Sequence, residues 1–161
     1  WLFRLKGRLG YGKGYGDTDT LPFFENYFAG GSYSVRGYGA SSLGPKNSYD
    51  AGSTNRSSAL GGNILMAGTA ELIFPLPMVE DHKSVRTALF LDGGNVLTDT
   101  CLAGNSACNE GVDPAELRFS VGLSWTWITP IAPLSFNFAR PLNSKSGDKT
   151  DFFQFQLGTT F

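Results

Sequence analysis

Along much of this 161-residue chain, apolar residues alternate one by one with polar or small ones, the spacing that sends neighbouring side chains to opposite faces of a β-sheet. Six segments carry the pattern. In the first, Trp1, Phe3, Leu5, Leu9 and Tyr11 share one face, and Arg4, Lys6, Arg8, Gly10 and Gly12 the other. The second sets Ile64, Met66, Gly68, Ala70, Leu72 and Phe74 against Asn63, Ala67, Thr69 and Glu71, with Leu65 and Ile73 interrupting the polar face. The third sets Val85, Thr87, Leu89 and Leu91 against Arg86, Ala88, Phe90 and Asp92. The fourth is the cleanest: Phe119, Val121, Leu123, Trp125 and Trp127 alternate with Arg118, Ser120, Gly122, Ser124 and Thr126. The fifth opposes Leu134, Phe136 and Phe138 to Ser135, Asn137 and Ala139. The sixth opposes Phe153, Phe155, Leu157, Thr159 and Phe161 to Gln154, Gln156, Gly158 and Thr160.

Segment length separates two architectures. These segments last about 9 to 13 residues, against about 5 or 6 for the strands of a soluble sandwich and about 9 to 11 for a tilted strand crossing a bilayer. A soluble sandwich with one wet face would share the alternation but not the length. The expected fold is therefore all-β, an antiparallel transmembrane barrel with apolar residues toward lipid and small or polar residues toward the lumen. The links at 75–83 and 129–133 are short and Pro-rich and read as periplasmic turns; those at 13–61, 98–116 and 141–151 are longer and polar and read as extracellular loops. The first loop is too long for a mere connector. Its Phe23, Phe24, Tyr27, Phe28, Val35 and Tyr38 predict a loop that packs, and the surface at hand is the barrel's own interior.

Composition narrows the function classes. Charged residues make up 17% of the chain against about 25% in ordinary soluble domains, and 21 glycines are present. No apolar run approaches the roughly 20 residues of a spanning helix. A net charge of −1 with the basic residues dispersed gives no case for nucleic acid. Cys101 and Cys108, in a Gly/Asn/Ser-rich stretch, read as a small disulfide loop in an oxidising compartment. The chain starts in mid-pattern at Trp1-Leu2-Phe3-Arg4, with neither an initiator Met nor a signal sequence, so it is expected to be part of a longer protein.

Chemistry-bearing patterns are sparse. His82 stands alone in a turn, without a nucleophile pattern or metal-ligand spacing. Gly37 and Gly39 are followed by no Lys-Ser/Thr pair, and Asp92-Gly93-Gly94-Asn95 lacks the repeated acids of a calcium loop. The expectation is a non-enzyme with no cofactor and no metal.

The ordered motifs Phe28-Ala29-Gly30-Gly31, Val35-Arg36-Gly37-Tyr38, Ala70-Glu71-Leu72, Phe90 to Val96, Trp127 to Pro130, Leu134 to Pro141 and the closing Phe153 to Phe161 cover essentially the whole chain. In this set the chain resembles the BamA/TamA superfamily of outer-membrane assembly factors, and its last segments look more like the BamA branch. The resemblance implies a loop tip folded into the lumen, with Arg36 of the Val35-Arg36-Gly37-Tyr38 motif meeting wall acids at Glu71 and Asp92. Alternation independently puts both acids on the polar face of successive strands, and a planar guanidinium can hold two carboxylates at once.

Six strands are too few to close a membrane barrel, whose smallest common members have about eight. By the resemblance, the whole barrel would have about 16 strands, preceded by periplasmic POTRA domains, and this piece would supply the last six. The implied function is insertion of other β-barrels into the outer membrane of a Gram-negative bacterium, as the barrel component of a BAM complex. Unfolded outer-membrane clients, accessory lipoproteins and the bilayer would be its partners. A labile seam would offer a strand edge, here Phe153, Phe155, Leu157, Gly158 and Phe161. A TamA-type or two-partner secretion translocator shares the loop motif, and a passive porin-like barrel is the rival of another class.

Overall fold

The computed structural model describes residues 1–16, 21–47, 58–76, 84–101, 105 and 108–158. Its strands are β1 (Leu2–Tyr11), β2 (Ile64–Phe74), β3 (Val85–Leu97), β4 (Arg118–Ile128), β5 (Pro133–Pro141) and β6 (Phe153–Leu157). They form one antiparallel sheet in the order β1-β2-β3-β4-β5-β6. Among the described residues, only two short 3-10 turns interrupt the all-β architecture, at Phe23–Glu25 and Pro114–Glu116.

The sheet is inverted relative to a water-soluble protein. On β4 the apolar Phe119, Val121, Leu123, Trp125 and Trp127 are exposed, whereas Arg118, Ser120 and Ser124 are buried. On β3, Leu89 and Leu91 point out while Phe90 and Asp92 point in; on β6, Phe153, Phe155 and Leu157 point out while Gln154 and Gln156 point in. Pairing aligns these outward residues across strands: Leu89 opposite Leu123, Leu123 opposite Phe138, and Trp125 opposite Phe136. Trp125 and Phe136 stack with ring centroids 5.5 Å apart, and Phe136 lies 5.3 Å from Phe155. Exposing this much apolar surface to water would cost about 25 cal/mol per Å², a cost that disappears against acyl chains.

The other face carries the long first loop. Ala29, Val35, Tyr38 and Leu43 of the loop form a buried cluster with Leu65 of β2 and Val96 of β3, and Tyr27 packs against it. Leu65, which interrupts the polar face in the sequence pattern, is thus one of the two wall residues, with Val96, that seat the loop. Ile73, the other interruption, lines a lumenal cavity beneath the loop.

The structure departs from the sequence pattern in three places. Phe23, Phe24 and Phe28 do not pack inside: they are 81%, 71% and 45% exposed, because Phe23 and Phe24 precede the loop's inward turn and Phe28 lies between the inward Tyr27 and Ala29. β3 continues through Gly93 and Gly94 to Leu97, residues whose missing side chains hide the alternation. β6 is described as a strand over five residues and ends where Gly158 takes φ +107°, while Thr159, Thr160 and Phe161 lie outside the described residues, as does His82.

Candidate functional site

The first loop is drawn down the lumen by three isolated antiparallel bridges, Tyr27 with Gly62, Ala29 with Leu43 and Lys46 with Ala59. At its tip, Gly37 has φ +86°, in the left-handed region open to glycine, and a Cβ there would stand 3.0 Å from the Ala139 Cβ on β5. Glycine therefore provides both the bend and the close approach to the wall.

Arg36 next to it points into the sheet. Its Nε donates to Asp92 Oδ2 at 2.7 Å and its Nη2 to Asp92 Oδ1 at 2.8 Å, while its backbone N–H donates to Asp92 Oδ2 at 3.0 Å. The same Nη2 lies 2.9 Å from Glu71 Oε1. Asp92 is fully buried and Arg36 and Glu71 nearly so. A buried charge is tolerated when paired and hydrogen-bonded, and the bidentate fork supplies both conditions.

Two further groups complete the setting. Arg4 of β1 reaches the free oxygen of Glu71, Nη2 to Oε2 at 2.6 Å, so two cations face two carboxylates. Below the guanidinium, the Phe90 ring lies with its centroid 3.6 Å from Arg36 Cζ, a cation–π contact strengthened by exclusion of water. The ring has room because position 122 is glycine: a Cβ there would come within 2.5 Å of Phe90 Cζ.

The rest of the motif is buried too. Val35 belongs to the apolar cluster, and the Tyr38 hydroxyl donates to the Phe119 carbonyl at 3.3 Å. The Tyr38 carbonyl accepts from the Gly31 N–H at 2.9 Å and from Gln154 Nε2 at 2.7 Å.

Alternation and motif point to Arg36, Glu71 and Asp92 as neighbours, and the structure brings them together. Arg4, Phe90 and Gln154 were not singled out; each lies on the predicted inward face, but only strand pairing shows which of them meets the loop. A second ion cluster was also missed: Arg118 Nε lies 2.5 Å from Asp148 Oδ2, with Glu116 bridging Arg118 and Lys145. Cys101 and Cys108 are joined as a disulfide with Cα atoms 5.9 Å apart. Phe153, Phe155 and Leu157, expected at a seam, lie outward on β6, an edge strand of this sheet. Among the described residues, no three metal-ligating side chains cluster.

This architecture has known counterparts. The model of the Omp85 superfamily domain matches residues 1–161. The chain is 40% identical to the outer membrane protein assembly factor BamA of Neisseria meningitidis serogroup B, over 98% of this chain and 21% of that protein. It is 32% identical to a SAM50-like protein of Schizosaccharomyces pombe, over 77% of this chain and 24% of that one. The crystal structure of BamA from Haemophilus ducreyi lacking POTRA domains 1–3 superposes with a TM-score of 0.81 at 34% identity, covering 95% of this chain and 30% of that chain. The chain thus spans less than a third of the length of these relatives. An apolar-out sheet of this kind is part of a Gram-negative outer-membrane barrel, and the chain belongs to the Omp85 superfamily.

Proposed function

We propose that this chain is the C-terminal wall of a barrel that inserts other β-barrel proteins into the outer membrane. The observation that carries the reading is the arginine loop docked on Asp92 and Glu71, in a chain 40% identical to an assembly factor over nearly its whole length. In this reading the six strands are the last of about 16, POTRA domains lie upstream, and accessory lipoproteins join mainly through those domains. The work involves no catalysis and no cofactor.

The chemistry is that of strand addition. An unpaired edge presents alternating N–H and C=O groups to any extended chain, and few other arrangements in a bilayer can satisfy a client's backbone. Among the described residues β6 is the shortest strand of the sheet, five residues against nine to thirteen in the others, and its ladder to β5 is the shortest. The docked loop braces the adjoining wall while that edge exchanges partners with a client.

Depletion of the protein in its own bacterium separates this reading from a passive pore. The expected result is loss of folded, heat-modifiable outer-membrane porins, with their unfolded precursors accumulating in the periplasm. Normal porin levels on depletion, with only a lost conductance, would overturn it.

A further inference from the structure

The loop tip is held from a second side as well as by the wall acids. Gln154, the inward residue near the start of β6, donates from Nε2 to the Tyr38 carbonyl at 2.7 Å, and its Oε1 accepts from the Gly37 N–H at 3.4 Å. The segment leading into β6 adds a short antiparallel bridge: Tyr38 pairs with Thr150, the Gly39 N–H donates to the Lys149 carbonyl at 2.8 Å, and the Asp151 N–H donates to the Gly37 carbonyl at 3.0 Å. That segment is latched to β4 in turn. The Asp148 carboxylate, nearly buried, meets Arg118, and the Asn143 side chain donates to the Leu117 carbonyl at 2.7 Å and accepts from the Phe119 N–H at 2.7 Å.

We infer that Gln154, with the 149–151 bridge, couples the arginine loop to the terminal strand, so that seating of Arg36 and placement of β6 are one equilibrium rather than two. Gln154 is a positioning residue: it acts through the backbone of Gly37 and Tyr38. Such a tie adds to a ladder in which, among the described residues, five residues of β6 pair with β5. A buried carboxamide satisfied by loop backbone at both ends would lose both partners if the loop left, and that loss is transmitted to the strand carrying it. The coupling goes beyond the assembly reading; only its consequence, that loop release would loosen the strand edge offered to clients, rests on it.

Hydrogen exchange on the purified full-length protein, folded in detergent or lipid, tests the coupling. Among the described residues the hydrogen bonds and ion pairs of Arg36 go to Asp92 on β3 and Glu71 on β2 and not to β6, so independent elements would leave the 153–157 amides unmoved in Arg36→Ala. The coupling predicts that their exchange rises about ten-fold together with that of residues 35–38, the scale of one or two lost hydrogen bonds. In a Gln154→Met background, the same Arg36→Ala change should move the 153–157 amides less than half as far on a logarithmic scale. Gln154→Glu keeps an acceptor for Gly37 but loses the donor to Tyr38, and should behave like Gln154→Met. Arg36→Lys, which keeps the charge but not the fork, replaces Arg36→Ala if heat-modifiable mobility shows the latter unfolded. A deprotected loop with β6 exchange unchanged within two-fold, or an equal β6 response in the Gln154→Met background, overturns the coupling. Porin levels on depletion judge the assembly reading separately.

Discussion

Arg36 and Asp92, 56 residues apart in sequence, share three hydrogen bonds, two from the guanidinium and one from the Arg36 backbone, around a carboxylate with no exposure to solvent. The backbone bond matters as much as the ion pair. It means that Asp92 holds the chain direction of the loop tip as well as its charge.

The two wall acids should therefore be unequal. Asp92→Ala leaves the Arg36 fork with a single ion pair, to Glu71, and its backbone N–H without the Asp92 acceptor, and should cost about 3 to 5 kcal/mol. Glu71→Ala leaves the bidentate pair intact and releases a half-exposed Arg4, so about 1 to 3 kcal/mol is expected. Urea unfolding midpoints in detergent check the ranking; equal losses would contradict it.

Gly122→Ala tests the floor of the site. The new methyl would meet the Phe90 ring and the Phe138 carbonyl, pushing the ring toward the guanidinium. A loss of about 1 to 3 kcal/mol and faster proteolysis of the loop are expected, as for overpacked cores. A silent substitution would show that Phe90 does not support Arg36.

Face assignment is tested by a neighbouring pair. Leu123 faces lipid and Ser124 lines the lumenal cavity. Leu123→Lys should destabilise the folded barrel in lipid by about 2 to 4 kcal/mol more than Ser124→Lys, because only the former buries its charge in hydrocarbon. Equal tolerance in lipid unfolding titrations would reverse the faces.

How far the sequence discloses this structure depends on which physical constraint placed each residue. Alternation is a local property, so the strands and their faces are legible from Phe119 to Trp127 without any tertiary knowledge. It fails at Gly93 and Gly94, where there is no side chain to read, and at Leu65, where a loop supplies the apolar partner that lipid supplies elsewhere. The grouping of Arg36 with Glu71 and Asp92 needed both the motif and the alternation. Arg4 opposite Glu71 is a consequence of the β1–β2 register, which no single strand encodes. The Arg118–Asp148 latch joins a strand end to a loop 30 residues on, and loop positions carry no periodicity. Phe23 and Phe24 look like packing residues because aromatics usually are, and only the loop's path shows that they precede its inward turn.

The loop cluster around Glu116 should respond to acid. The hydrogen bond from Lys145, aided by the charges of Lys145 and Arg118 against the effect of burial, holds the Glu116 carboxyl below its ordinary value of 4.5. A carboxyl depressed in the folded state stabilises it above the unfolded value, and that contribution is lost as pH falls through the folded one. Protease protection of residues 141–151 should thus be constant at neutral pH and weaken below about pH 4.5. Glu116→Gln should remove that part of the pH dependence; an unchanged profile would exclude Glu116 as its source.

The central claim is that the docked Arg36 is required for the barrel to insert clients, and complementation tests it most directly. In cells depleted of the native protein, a copy carrying Arg36→Ala should reach the membrane as a folded barrel yet support markedly fewer heat-modifiable porins, with its loop open to external protease. Arg36→Glu should be worse, since it sets a third negative group beside Asp92 and Glu71. Wild-type porin levels together with a protease-resistant loop in Arg36→Ala would contradict the account.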